Sequence, residues 1–313
     1  MRRVAHIERL PANIGEFIEE VASGLTALYG EKAGFQYRRT ARSILQTTIS
    51  HAAVDVVAVW EEDAAAGLLL GVTRGRMAQV SFIHVLRRCS NQGVEDALVT
   101  EAVRTFRANG IGAILSECVP FCPLRLDAVF EALGFERIER TLMSAPLDGP
   151  ALICCPAIST PYAAREWDAV AGTIVEAYQD HPGRKLHTEV RDEVQALTFL
   201  DSVASGGYGS VKPAYGRAVW RDGECAGVVV GCEIAPEMGF VLQLAVRPAY
   251  QRCGLGTGLL RDLADAFRGE GLVRMILGVT RSNPAKRLYD RLGFEPIRPV
   301  NAYVWWDAGM ECC

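Results

Sequence analysis

The 313-residue sequence has no apolar run of bilayer-spanning length. Its longest, residues 225–232 and 64–72, stop well short of the roughly 18 residues that a spanning helix requires, so no membrane partner is expected. Nor does Met1-Arg2-Arg3 lead into an apolar core, and no export leader is expected. Charge of one sign is also lacking. The net charge is −4, with 16 basic and 18 acidic residues in 1–150 and 17 and 19 in 151–313. Without a basic field, no nucleic-acid partner is expected. Lysine is scarce, 4 against 29 arginines, the usage of a GC-rich bacterial genome. The ten cysteines include no Cys-x-x-Cys; two pairs are adjacent, Cys154-Cys155 and Cys312-Cys313. Cys118 and Cys122 lack a nearby histidine, so no metal is expected. Reduced thiols in a cytoplasmic protein are the better expectation. Half of the residues are hydrophobic and 22% are charged, the balance of a globular chain. The length suffices for about two domains.

What is present centres on residues 246–260. An apolar strand, 240–246, ends at Pro248; Gln251, Arg252, Gly254, Gly256 and Gly258 follow, and then an apolar-striped helix begins. Glycines admit a ligand close to the backbone, and the free amides and dipole of a helix start favour an anion. The loop has no P-loop lysine. It is no dinucleotide loop either, because Leu259 stands where the third glycine would be. A second strand, 275–280, comes after the helix, then Asn283, Pro284, Ala285, Leu288, Tyr289 and Leu292-Gly293-Phe294.

With these two motifs the chain resembles the GCN5-related N-acetyltransferase (GNAT) family. Gln251-Arg252-Cys253-Gly254-Leu255-Gly256 matches the family's Gln/Arg-x-x-Gly-x-Gly/Ala. Asn283, Ala285, Tyr289, Gly293 and Phe294 fill its later Asn…Tyr…Gly-Phe frame. The resemblance covers about residues 165–306.

The sequence also repeats. Leu133-Gly134-Phe135-Glu136-Arg137-Ile138 mirrors Leu292-Gly293-Phe294-Glu295-Pro296-Ile297 at an offset of 159, and Val85 to Gly93 mirrors Val246 to Gly254 at 161. A helix and strand at 94–108 and 113–118 answer those at 258–268 and 275–280. The expected fold class is α/β: two tandem acyl-CoA N-acyltransferase (GNAT) domains, each a mixed, mostly antiparallel sheet flanked by helices. The proline-rich seam suggests a GNAT-like domain at 1–148, a linker at 149–160 and a catalytic domain at 161–313. The first copy is degenerate where chemistry would matter. Glu95 answers Gly256, Ala97 answers Gly258, Arg87 answers Pro248, Leu124 answers Asn283, and Phe130 answers Tyr289. It is expected to be non-catalytic, packing on the second domain or shaping its substrate entrance.

In the second domain, helices are expected at 167–178 and 189–204, the first ending at Asp180-His181-Pro182-Gly183. Strands are expected at 215–221, 225–234 and 240–246. The resemblance implies acetyl-CoA as co-substrate and splayed strands that receive its pantetheine arm. Cradle amides from Arg252 through Cys253, Gly254, Leu255, Gly256 and Thr257 to Gly258 would meet the pyrophosphate, beside Gln251 and Asn283. Arg252 would add a charge-assisted contact; Arg247 would either do so or be a solvated helix end. The strand segment Leu244, Ala245 and Val246 would serve the pantetheine arm through the backbone of Leu244 and Val246, and an amide near Val246 would polarise the thioester carbonyl. Tyr289 is the implied general acid for the leaving thiolate, or else a core aromatic beside Leu288 and Leu292.

The implied reaction is direct attack of a primary amine, small or N-terminal, with no acyl-enzyme. Cys253 has no adjacent histidine to activate it. For the base, Gln243 stands where relatives place an acid, which leaves Glu233, Glu237, Asp180, His181, His187 or a water chain. Residues 298–303, Tyr208 and Tyr215 are candidate substrate contacts. Two other readings stay open: an acyl-CoA-sensing protein without turnover, and a mycothiol-synthase-like tandem acetyltransferase.

Overall fold

The computed structural model describes residues 2–307 apart from 91, 119, 120, 122, 123, 154–156 and 182. Cys122, Cys154, Cys155, Pro182, Cys312 and Cys313, singled out above, lie outside the described residues.

Along the chain come β1 (Arg2–His6), α1 (Ile14–Tyr29), α2 (Glu31–Ile49), β2 (Val54–Glu61), β3 (Ala64–Arg74), β4 (Met77–Val85), α3 (Val94–Ala108), β5 (Ala113–Ser116), α4 (Leu126–Ala132), β6 (Glu136–Ile138) and β7 (Arg140–Pro146). A similar series follows: β8 (Thr160–Pro161), α5 (Trp167–Ala177), α6 (Glu193–Ala204), β9 (Gly216–Arg221), β10 (Glu224–Ala235), β11 (Met238–Val246), α7 (Leu255–Gly269), β12 (Arg274–Thr280), α8 (Lys286–Arg291), β13 (Glu295–Pro299) and β14 (Ala302–Trp306).

Two seven-stranded sheets result, in the orders β1-β2-β3-β4-β5-β14-β6 and β8-β9-β10-β11-β12-β7-β13. Each has one parallel pair, β4 with β5 and β11 with β12; the other pairings are antiparallel. Position by position the orders are the same, so the repeat read from sequence is a repeat of fold.

The sixth position breaks the chain order. In the first sheet it holds β14, from the end of the chain; in the second it holds β7, from the first copy. The compact units are therefore residues 1–139 with 300–313, and residues 140–299. The chain passes between them at 139/140 and 299/300, whereas the sequence suggested a seam at 149–160. Residues 150–152 and 160–161 form a short turn and β8 of the second unit. The physical reason is local. A single residue, Glu139, separates β6 from β7, and even the tightest common hairpin needs about two loop residues.

The first unit has one core, with α1 and α3 contributing Ile14, Phe17, Leu98, Val103 and Phe106 against Val57, Leu69, Val80 and Ile114 of the sheet. The second unit has a core on each face. One carries α7, whose Leu259, Leu260, Leu263 and Phe267 are fully buried; each such side chain contributes about 2 kcal/mol by leaving water. The other carries α5 and α6 over Val228, Val230 and Ala245. The strand at 225–234 reads as a continuous apolar run because it is covered on both sides.

Candidate active site

The floor of the site is a split between two strands. The parallel pairing of β11 with β12 runs for four residues only, 238–241 against 274–277. Beyond Val241, β11 continues to Val246 without β12. On its other edge Ala245 pairs with Val228, and Arg247 N–H donates to Ala226 at 3.0 Å. Alternation along an antiparallel strand then turns the groups of Leu244 and Val246 toward the split. There Leu244 N–H donates to its neighbour's side chain, Gln243 Oε1, at 3.2 Å. Val246 C=O accepts from Gln251 Nε2 at 3.0 Å. Both are contacts that an incoming amide-bearing chain can replace.

After Val246 the backbone turns through Pro248–Tyr250 and enters α7. Arg252 (φ 63°) and Gly254 (φ 84°) are both left-handed. Alternating hand makes successive N–H groups converge into an anion-binding nest. The Arg252 conformation costs strain for a residue with a Cβ; at Gly254 it costs none. Among the described residues, the N–H groups of 252–257 have no protein acceptor, whereas Gly258 N–H donates to Gly254 C=O at 3.0 Å. No acidic residue lies in the first turn of α7. Arg252 is exposed, and its guanidinium has no ion-pair partner among the described residues.

A buried polar cluster covers the split. Tyr178, at the end of α5, donates from its hydroxyl to Gln243 Oε1 at 2.7 Å. Glu189, on the loop before α6, accepts at Oε1 from His187 Nδ1 at 3.0 Å and from Gln243 Nε2 at 3.5 Å. Burial works to raise the Glu189 pKa, but His187, a backbone N–H and Arg140 together outweigh it and hold the carboxyl below its usual range. Arg140, at the start of β7, lies along β12 with Nη2 3.4 Å from Gly278 C=O. A Cβ on Gly278 would come 3.1 Å from that nitrogen, so the glycine leaves room for the guanidinium. Desolvation lowers the Arg140 pKa, and the neighbouring Tyr178, Glu189 and Tyr289 side chains partly oppose that shift.

Tyr289 on α8 has its ring in the core, edge-on to Phe294 at 5.8 Å. Burial pushes its hydroxyl up to about 12, so it stays protonated at neutral pH. His181 Nδ1 accepts from Gly183 N–H at 3.0 Å. Burial lowers the His181 pKa, against a hydrogen bond with Asn283.

The structure thus brings Leu244, Val246, Gln251, residues 252–257 and Tyr289 around one split, and it reassigns several others. Gly258 is excluded from the cradle because its N–H is spent inside the helix and its Cα is covered by Ile158. Ala245 packs into the α5–α6 core. Leu255 offers only its N–H, its side chain being in the α7 core. Asn283 Oδ1 accepts from Ala285 N–H at 2.8 Å, which braces the turn into α8. Arg247 is held by Glu176 and Glu224, each at 3.3 Å, and is no free phosphate ligand. Cys253 is exposed, and its thiol sits 3.5 Å from Gln251 C=O.

Among the base candidates, Glu233 and Glu237 lie at the β10–β11 turn, at the far end of β11 from the cradle. At about 3.3 Å per residue, the strand puts Glu237 roughly 30 Å from Val246. Asp180 is exposed. Tyr215 is fully buried against Phe267 rather than at an entrance. Tyr208 is 41% exposed, packed on Phe199. Tyr303 belongs to the first unit, where its hydroxyl donates to Asp127 at 2.6 Å.

Sequence reasoning missed three members of the cluster. Arg140 falls before the expected seam, Glu189 falls where a helix was expected to start, and Tyr178 was read as one more residue of an apolar face. The pair His187-x-Glu189 was the one legible signal.

The same split recurs in the first unit, where β4 pairs with β5 over 77–80 and 113–116 only. The features around it do not recur. The first turn of α3 carries Glu95 and Asp96, and Glu95 is buried with Oε2 unpartnered. Phe130 is stacked on Tyr303 at 4.2 Å.

Comparison with known proteins agrees with this geometry. The family model described as Acetyltransferase (GNAT) family matches residues 167–294. A curated relative, [ribosomal protein bS18]-alanine N-acetyltransferase of Haemophilus influenzae, is 32% identical over 66 residues, which is 21% of this chain and 45% of that protein, less than half its length. A GCN5-related N-acetyltransferase from Sphaerobacter thermophilus has the same fold at a TM-score of 0.68 and 16% identity, covering 97% of this chain and 96% of that one. A tandem GNAT protein from the clavulanic acid biosynthesis pathway superposes with a TM-score of 0.60 at 18% identity, over 97% and 98% of the two chains. The chain has the fold of a tandem GNAT protein, and its residues 167–294 match the GNAT acetyltransferase family.

Proposed function

We propose that the second unit transfers an acetyl group from acetyl-CoA to a primary amine by direct attack, with no acyl-enzyme. The observation that carries this reading is the set of unpartnered N–H groups at 252–257, opening beside the β11–β12 split with no carboxylate in the first turn of α7. A diphosphate suits that nest, because converging amides and the helix dipole both favour an anion. The edge groups of Leu244 and Val246 suit an extended, amide-bearing arm laid along β11. Tyr289, protonated at working pH, suits proton delivery to a leaving thiolate. The second unit supplies all of these groups. The first unit is proposed to be non-catalytic, since Glu95 and Asp96 oppose an anion at the matching helix start.

The test is a thiol-release assay with acetyl-CoA against amines, amino acids, aminoglycosides and peptides. Alanyl peptides are a natural first acceptor, because the curated relative is named for acetylating an alanine. Gly256→Glu serves as the binding control. A Cβ there meets only Leu288, at 3.3 Å, and the first unit folds with a glutamate at the matching position, so the variant should stay folded. Its acetyl-CoA affinity by calorimetry should fall at least about 100-fold, or ~2.7 kcal/mol. Unchanged affinity would remove the cradle from the argument.

A further inference from the structure

Resting on the acetyltransfer reading above, we propose that His187, held by Glu189, is the general base that removes the proton from the acceptor amine.

The ring is oriented from one side only. His187 Nδ1 lies 3.0 Å from Glu189 Oε1. An ionised carboxylate can only accept, so Nδ1 carries the proton and a neutral ring presents Nε2 as its lone-pair nitrogen. Among the described residues nothing bonds to Nε2, and the side chain keeps 17% exposure, so that nitrogen is open to a small substrate. Glu189 is fixed in turn by Gln243 Nε2, and Gln243 by Tyr178. This chain of bonds ends on β11 at the residue before Leu244, where the strand has parted from β12. The base is thereby tied to the split that would receive the thioester. Gln243, which cannot take a proton itself, acts as a positioning residue for the carboxylate that orients the histidine.

The charged and titratable groups facing the pair are Tyr178 and His181 from the end of α5 and its loop, Arg140 from β7 and Tyr289 from α8. Arg140 and the His187 hydrogen bond keep Glu189 ionised. Arg140 neighbours both Glu189 and Tyr289, so the pair and the phenol belong to one cluster. The other base candidates fail on geometry. Glu233 and Glu237 are at the wrong end of β11, Asp180 is exposed, and His181 has Nδ1 occupied by Gly183 N–H and a side-chain bond to Asn283.

The protons balance. His187 Nε2 takes one from the ammonium form of the acceptor. The freed amine nitrogen bonds to the acetyl carbon as the carbon–sulfur bond breaks. The sulfur receives the Tyr289 proton, and the second nitrogen proton passes through water to restore Tyr289. His187 returns its proton to solvent, which makes one proton released per turnover.

The experiment compares wild type, His187→Gln, His187→Ala and Glu189→Gln with acetyl-CoA and alaninamide, or whichever amine of the screen releases thiol. His187→Gln should lower kcat about 100-fold, while acetyl-CoA affinity stays within about twofold. Added imidazole should restore part of the His187→Ala rate, which a purely structural histidine would not allow. Glu189→Gln should lower kcat with acetyl-CoA affinity within about twofold, because the amide no longer holds the proton on Nδ1. Nitrogen-15 spectra of wild-type histidines report the tautomer whether or not the variants fold; Nδ1 should carry the proton. Wild-type rates in His187→Gln, or a proton on Nε2 of the neutral ring, overturn the inference. A wild type inert with every amine overturns the acetyltransfer reading itself.

Discussion

At the residue scale, the environment of each group decides its chemistry more than its identity does. Tyr289 and Phe130 occupy matching places in the repeat, yet their rings are held differently. Phe130 is fully buried beneath Tyr303, while Tyr289 keeps a hydroxyl with no bonding partner among the described residues. Burial raises the Tyr289 pKa to about 12, and a group so raised remains an acid throughout the neutral range. Tyr289→Phe removes one oxygen from an otherwise apolar ring site. It should lower kcat by about 100-fold with little change in acetyl-CoA affinity. Steady-state kinetics with calorimetry test this, and equal turnover in the two proteins would return Tyr289 to a packing role. The motif pattern made Tyr289 legible in the sequence. Nothing local announced Arg140, because its neighbours come from β12 and the α5–α6 loop.

At the element scale, α7 does two jobs with different residues. Its first turn offers N–H groups outward, while its later turns bury Leu259, Leu263 and Phe267. The helix is further pinned by Asp262, whose Oδ2 accepts from Ile158 N–H at 3.0 Å, Ser159 N–H at 2.7 Å and Ser159 Oγ at 2.6 Å. Arg217 then donates to Ser159 Oγ and C=O at 3.0 and 2.7 Å. This network fixes the segment before β8, and with it Ile158 over Gly258. Asp262→Ala strands the N–H groups of Ile158 and Ser159, the latter buried, and should cost roughly 2 kcal/mol. A lower urea midpoint, with acetyl-CoA binding partly retained, is the expected result. An unchanged midpoint would mean that α7 is held by its apolar face alone. The sequence showed the apolar stripe but misplaced its start, at Gly258 rather than Leu255, because glycines discount helix propensity while the left-handed Gly254 marks the true cap.

At the scale of the whole molecule, the exchanged strands make each unit depend on both halves of the sequence. Residues 1–148 alone would lack β14, the shared neighbour of β5 and β6, and would leave β7 without its partners. Residues 149–313 would lack β7 and the Arg140 it carries. Neither fragment should unfold cooperatively by itself, and co-expression should restore both transitions. A sharp melting transition of residues 1–148 alone would show that the exchange is dispensable. The sequence by itself determined the tandem repeat, the glycine-bearing bend that follows Pro248, and the divergence of the first copy at the matching positions. Each of these is written in a few contiguous residues, where local geometry and side-chain chemistry are set by neighbours along the chain. Tertiary structure alone decided which strand fills the sixth place in each sheet. It also decided that Gly258 serves packing, and that Arg140, Tyr178, His187 and Glu189 form one cluster. Strand partners and buried polar contacts draw their free energy from residues distant in sequence, so no local pattern encodes them.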